Sequence, residues 1–216
     1  MFQTKKDTLY VILAGIFITN AVTAEMIGGK LIDVFGIPMS IGILPWPVVF
    51  ITTDLINEYF GEKGVRKLSF ITAALIAYSF LLLLLAIRIP ASDISGVKDA
   101  AFFSVFGQSM WIIVGSITAF LVSQMIDVTI FHFVKNRTGK RMLWLRSTGS
   151  TVISQFFDSF IVLGIAFYLT GQMDTPTYIA SGLTGYGVKL VIAIALTPVI
   201  YFAHFLIDKY INPHGH

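Results

Sequence analysis

The segment LSFITAALIAYSFLLLLLAIRI, residues 68–89, contains a single charged side chain, Arg88, and that sits at its end. A helix rises about 1.5 Å per residue, so about 20 apolar residues cross a hydrocarbon core of about 30 Å. This run therefore reads as a transmembrane helix. Working outward from it, five more runs of comparable length lie between charged or Gly/Pro-rich breaks, at residues 9–27, 41–59, 110–133, 151–170 and 183–207. Pro45 and Pro47 fall early in the run 41–59 and predict a late start or a kink there. The expectation is an all-α membrane protein, one integral domain over residues 1–216 with six transmembrane helices.

Composition agrees. Hydrophobic residues make up 56% of the 216 residues and charged ones 12%, with a mean hydropathy of +0.81. A soluble core of this length cannot hide so much apolar surface, so lipid is the expected solvent. Trp46, Trp111 and Trp144 fall near expected span ends, where amphipathic rings favour the headgroup layer. Cysteine is absent, which removes disulfides, thiolate nucleophiles and Cys-ligated metals.

Charge placement gives an orientation. Lys5, Lys6, Lys63, Arg66, Lys67, Lys135, Arg137, Lys140, Arg141, Arg146 and Lys209 lie at one set of span ends, whereas the other set holds only Lys30, Arg88 and Lys98. The positive-inside rule then puts the N- and C-termini in the cytoplasm. The same asymmetry accounts for the basic residues without nucleic acid as a partner. Lys5, Lys6, the run from Leu9 and Val22-Thr23-Ala24 imitate a cleavable secretory signal, but removal would leave five spans against the charge bias, so the segment reads as a retained span. Residues 100–106 read as a short helix along the interface.

Polar side chains inside the spans carry the functional signal, because an ionisable group at span centre costs at least about 2.5 kcal/mol. Asp54, Asn57 and Glu58 share one helical face at i, i+3, i+4. Gln124 and Asp127 are three apart, and Ser147, Ser150, Ser154 and Asp158 form a stripe with Gln155 beside it. Lys189 lies within the last run, and Asn20 and Glu25 within the first. The structural alternative is helix–helix hydrogen bonding for Ser123, Ser154 and Thr118, and snorkelling or pairing with Arg66 or Lys67 for Asp54 and Glu58. Asp158 is too deep to snorkel. It must be neutral, paired with a base such as Lys189, or facing a wet cavity.

Three segments resemble the queuosine precursor transporter family, also described as vitamin-uptake transporters. The first is Thr53-Asp54-Leu55-Ile56-Asn57-Glu58-Tyr59-Phe60-Gly61. The second runs from Gly115-Ser116 through Ala119 to Ser123-Gln124, Asp127 and Phe131. The third is Trp144-Leu145-Arg146-Ser147, Ser150-Thr151, Ser154-Gln155 and Asp158-Ser159. Ser147 departs from the asparagine expected after the arginine. The resemblance implies import of 7-cyano-7-deazaguanine or its aminomethyl relative across a bacterial cytoplasmic (inner) membrane. It also implies an architecture similar to the six-helix vitamin-binding subunits of energy-coupled importers.

The residue chemistry suits such a base. A carboxylate can accept both N1–H and the 2-amino group, a role open to Asp158 or Glu58, while Gln155, Asn57, Arg146 or Lys189 can donate to O6. Tyr59, Phe156 and Phe157 are the expected ring walls. The substrate-binding set is thus Asn57, Glu58, Arg146, Ser150, Gln155, Asp158 and Lys189. Asp54, Glu58, Gln124 and Asp127 are the set for proton coupling or gating. Neither a metal nor a cofactor is expected. The rivals are import of another flat heterocycle, a vitamin or ordinary purine, and an intramembrane enzyme using paired aspartates. The latter lacks a Gly-x-Gly-Asp, His-Glu-x-x-His or Gly-x-Ser-x-Gly motif. His132 and His204 are scattered, and terminal His214 and His216 read as solvated.

Overall fold

The computed structural model describes residues 4–34, 37–139 and 142–211. Lys140, Arg141, His214 and His216 lie outside the described residues. Among the described residues, five stretches are long and apolar enough to cross a membrane: Lys5–Ile27, Ile41–Ile87, Asp99–Thr138, Leu143–Tyr168 and Thr175–Ile211.

Helix α1 (Lys5–Ile27) opens on a capping box in which the Thr4 hydroxyl accepts from the Asp7 amide and the Asp7 carboxylate accepts from the Thr4 amide. Leu9, Leu13, Phe17 and Ala21 recur every fourth residue and bury one stripe in an apolar core shared with Val49, Ile56 and Val65. A two-stranded antiparallel hairpin follows, β1 (Leu31–Val34) with β2 (Ile37–Ser40), pairing Ile32 with Met39. The all-α expectation misses it because four-residue strands are too short to show an alternating pattern. After a 3-10 turn at Ile41–Ile43, α2 (Trp46–Ile87) begins behind Pro45, with Pro47 in its first turn where no amide donor is needed. The late start expected from the two prolines is what is found.

Helix α2 has 42 residues and takes in most of both apolar runs expected at 41–59 and 68–89. It is broken at Gly61, where φ is 76° and ψ 177°. Contacts with the later helix α4 (Met110–Thr138) show the chain turning back there. Asn57 meets His132 and Glu58 meets Lys135, but Arg66 meets Thr129, six residues earlier on α4 than Lys135. A residue with a Cβ is strained in this conformation. Gly61→Ala is therefore expected to lower stability by about 1–3 kcal/mol, read as a drop in the thermal midpoint of detergent-purified protein.

The short helix expected at 100–106 is α3 (Asp99–Phe106). It precedes α4 (Met110–Thr138) and α5 (Leu143–Leu163), whose end continues into a π-helical turn at Gly164–Tyr168. Helix α5 starts eight residues before the expected 151, and α4 runs past the expected 133. Their polar ends were no obstacle, because the charges there find partners across the helices. At Gly115 an added Cβ would lie 3.2 Å from the Val162 carbonyl oxygen and 3.3 Å from the Ala166 amide nitrogen, so α4 meets the end of α5 almost backbone to backbone. In α6 (Thr175–Ile211) the first turn is capped by Asp174, whose carboxylate accepts from the Thr177 amide at 3.2 Å. Bonds from the Thr177 hydroxyl and amide hold that carboxyl below its ordinary value.

Burial is inverted relative to a soluble protein. Leu81, Leu82, Leu85, Phe202 and Phe205 are exposed, whereas Asp54, Asn57, Ser69, Ser147 and Ser150 are 0–1% exposed. Apolar side chains outside and paired polar ones inside is the arrangement that lipid imposes.

Candidate functional site

The buried polar groups meet where α2, α4 and α5 pack together. On α2, Phe50, Thr53, Asp54 and Asn57 follow one another at helical spacing and point to this seam. Helix α4 adds Ser123, Gln124 and Asp127, while α5 adds Arg146, Ser147, Ser150, Thr151, Ser154 and Gln155. All are buried. Several of these polar groups bond across helices, as a polar group facing lipid would have no partner.

One end of the seam is ionic. Arg146, 3% exposed, contacts Glu58 at 3.0 Å and donates to the Gly139 carbonyl at 2.7 Å, and Lys135 contacts the other Glu58 oxygen at 3.0 Å. The pairing of Glu58 with Arg66 or Lys67 is corrected here: Arg66 bridges to Glu62 instead, at 2.7 Å, one helical turn away on the same face. Deeper in, Ser147 donates to Asp54, and the Asn57 side chain meets His132 at 3.2 Å. His132 is thus part of the network. His204 makes a separate contact with the Tyr59 hydroxyl at 3.0 Å, which donates to Asp208 at 2.7 Å.

Past Asp54 lies a cavity of about 10 Å³, close to the minimum that holds one water molecule. Its lining comes from Phe50, Thr53, Ser123, Gln124, Asp127, Thr151, Ser154 and Gln155. Asp127 accepts from Ser154 at 3.3 Å and from Thr151 at 3.5 Å. Asp158 lies beyond, paired with Lys189 of α6 at 2.5 Å and receiving a long 3.4 Å contact from Ser123. Of the three states open to Asp158, the paired one is realised. Farther along, Ser116 donates to Glu25 of α1, which lies within Coulombic range of Asp158 and Lys189.

The site residues named from sequence therefore divide. Gln124, Asp127 and Gln155 share the cavity, and Asp54, Asn57, Ser150, Glu58 and Arg146 lie along the same seam on the side of the Glu58 ion pairs. Asp158 and Lys189 stand at its other end. The aromatic walls are corrected: Phe156 and Phe157 are about 40% exposed and turn outward, and Tyr59 is engaged with α6. Phe50 is the ring that lines the cavity. The signal for it was present, since Phe50, Thr53, Asp54 and Asn57 keep i, i+3, i+4, i+7 spacing.

With this geometry in view, the comparison with known proteins is direct. Residues 40–203 match the family model described as "Putative vitamin uptake transporter". The chain belongs to this family. A "Probable queuosine precursor transporter" of Bacillus subtilis (strain 168) is 29% identical over 182 residues, covering 83% of this chain and 78% of that protein. A protein of the same description from Haemophilus influenzae is 27% identical over 159 residues, covering 72% of this chain and 63% of the relative. No solved structure matches. This vitamin uptake transporter family member is a transporter and not an enzyme, and its several apolar helices make it a multi-pass membrane protein.

Proposed function

We propose that this transporter imports a queuosine precursor, 7-cyano-7-deazaguanine or its aminomethyl relative, across the bacterial cytoplasmic membrane. The observation that carries the reading is the buried seam of carboxylates, carboxamides and hydroxyls between α2, α4 and α5. A flat base rich in adjacent donors and acceptors is the kind of solute such a seam can desolvate and replace bond for bond. Both relatives, described as probable queuosine precursor transporters, support the substrate class.

In this reading the two halves of α2 on either side of Gly61 each cross the bilayer, giving six spans with both termini in the cytoplasm. Support comes from the 42-residue length of α2, about twice what one crossing needs, and from the basic bias at one set of helix ends. Asn57, Ser150 and Gln155 contribute to the polar lining. Proton coupling, with Asp54 or Glu58 as carrier, completes the proposal.

Proteoliposomes loaded with purified protein should accumulate radiolabelled 7-cyano-7-deazaguanine, with competition by the aminomethyl compound and little by adenine. Collapse of an imposed proton gradient should abolish accumulation. Equal competition by adenine, or by a vitamin to the exclusion of deazaguanines, would replace this substrate with the rival heterocycle class that the family description favours. Uptake indifferent to the gradient would remove the proton.

A further inference from the structure

The carboxylates of the seam differ in how firmly they are held. Glu58 holds Arg146 and Lys135, and Asp158 holds Lys189 at 2.5 Å. Asp54 accepts from Ser147 through one oxygen while its Oδ1 is buried without a hydrogen-bond partner, but it is not among the residues that line the cavity. Asp127 has no ion pair among the described residues; it is held by hydroxyls alone, those of Ser150, Ser154 and Thr151, the last two at 3.3 and 3.5 Å. It is also the carboxylate that lines the cavity. Gln124, one turn earlier on α4, is 5% exposed and lines the same cavity, and its Oε1 is buried without a hydrogen-bond partner. An unpartnered buried carbonyl beside a loosely held buried carboxylate is costly unless something else bonds to them.

Resting on the substrate reading above, we propose that Asp127 and Gln124 form the pair that reads the hydrogen-bonding edge of the base, in place of Asp158. Asp127 accepts from two adjacent N–H groups, N1–H and the 2-amino group. The Gln124 and Gln155 carboxamides meet the remaining polar atoms, and Phe50 covers a ring face. Binding at Asp127 displaces only the hydroxyls of Ser150, Ser154 and Thr151, which can rotate to new partners. Binding at Asp158 would first have to break its ion pair. The cavity is far below the roughly 300–1,000 Å³ of a small-molecule pocket, so this is the closed form. Thr151, Ser154 and Gln155 line one wall from α5, and α2 and α4 supply the rest. Separation of α5 from those two helices is the opening step.

The specificity consequence is sharp. A carboxylate presents two acceptors, matching the donor–donor edge of a guanine-like base and leaving adenine with its N1 acceptor unmatched. Asn at this position presents one acceptor and one donor, which matches adenine.

The test is equilibrium binding of 7-cyano-7-deazaguanine and of adenine to full-length protein in nanodiscs, for wild type, Asp127→Asn, Gln124→Ala and Asp158→Asn. Size-exclusion profiles identify the folded variants. Because the chain has no cysteine, Ser154→Cys adds a thiol whose labelling reports the cavity directly. Asp127→Asn should lose at least about 100-fold in affinity for the deazaguanine while its adenine-to-deazaguanine preference rises by at least about tenfold. Gln124→Ala should lose about tenfold. The deazaguanine should protect Ser154→Cys from a thiol reagent. Affinity retained in Asp127→Asn, loss confined to Asp158→Asn, or unprotected Ser154→Cys at saturating ligand overturns the assignment. Should Asp127→Asn not fold, Gln124→Ala and the protection assay decide. Wild-type protein that ignores deazaguanines but binds another heterocycle refutes the substrate reading alone. Protection of Ser154→Cys by that compound would still uphold the site, and its absence would overturn it.

Discussion

Arg146→Ala is expected to destabilise the folded protein by about 3 kcal/mol or more, because it strips a buried charge pair of one member. Arg146 joins three parts of the molecule: Glu58 on α2, the Gly139 carbonyl at the end of α4, and its own helix α5. Its guanidinium also lies 5.9 Å from the Phe131 ring centroid. Without it, Glu58 keeps Lys135 alone, and the Gly139 carbonyl loses its donor. Arg146→Lys should recover only part of the loss, since one ammonium on a shorter reach does not reproduce the fork that serves Glu58 and Gly139 together. The double substitution Glu58→Met with Arg146→Met should be more stable than Arg146→Ala, because Glu58 is no longer left short of a partner, while the lost contacts to Lys135 and the Gly139 carbonyl keep it below wild type. Thermal denaturation of the four proteins in one detergent checks this. A double variant no better than Arg146→Ala would show that the pair is not the source of the effect.

The second large effect is expected at the opposite end of the seam. Asp158 and Lys189 join α5 to α6 through one 2.5 Å contact, and their side chains are 14% and 21% exposed. That exposure puts the pair between a surface bridge, worth about 0–1 kcal/mol, and a buried one. Lys189→Met should therefore cost about 1–3 kcal/mol and lower uptake by at least about tenfold, because Asp158 is left with only the long Ser123 contact near Glu25. Exchanging the charges, Asp158→Lys with Lys189→Asp, should restore stability more than uptake, since the pair is rebuilt while the charge facing Ser123 is reversed. The measurement is initial uptake rate set beside thermal midpoint for each variant. Equal recovery of both would make the contact a plain structural tie.

Much of this was legible in the residues. The apolar run 68–89 and its companions required lipid, and the i, i+3, i+4 spacing of Asp54, Asn57 and Glu58 put them on one face. The stripe Ser147, Ser150, Ser154 named the inner face of α5. Other features were not legible. The apolar-run criterion stopped α5 at 151, since a charged arginine normally marks a boundary, and nothing local announces that Glu58 and a carbonyl of α4 await it. Phe156 and Phe157 looked like walls because they neighbour Gln155, but successive residues on a helix point about 100° apart, so both turn outward. The hairpin at 31–40 was too short to leave a pattern.

Sequence alone determined the solvent, the helical class and the polar residues that had to face inward, because backbone hydrogen bonding and the cost of charge in lipid are set by composition and spacing within one segment. Which carboxylate found which cation depended on the tertiary structure. Glu58 meets Lys135 and Arg146, and Asp158 meets Lys189, each on a different helix from its own, and only the packing of those helices sets the distances. The same packing left Asp127 and Gln124 as the loosely held groups around the cavity.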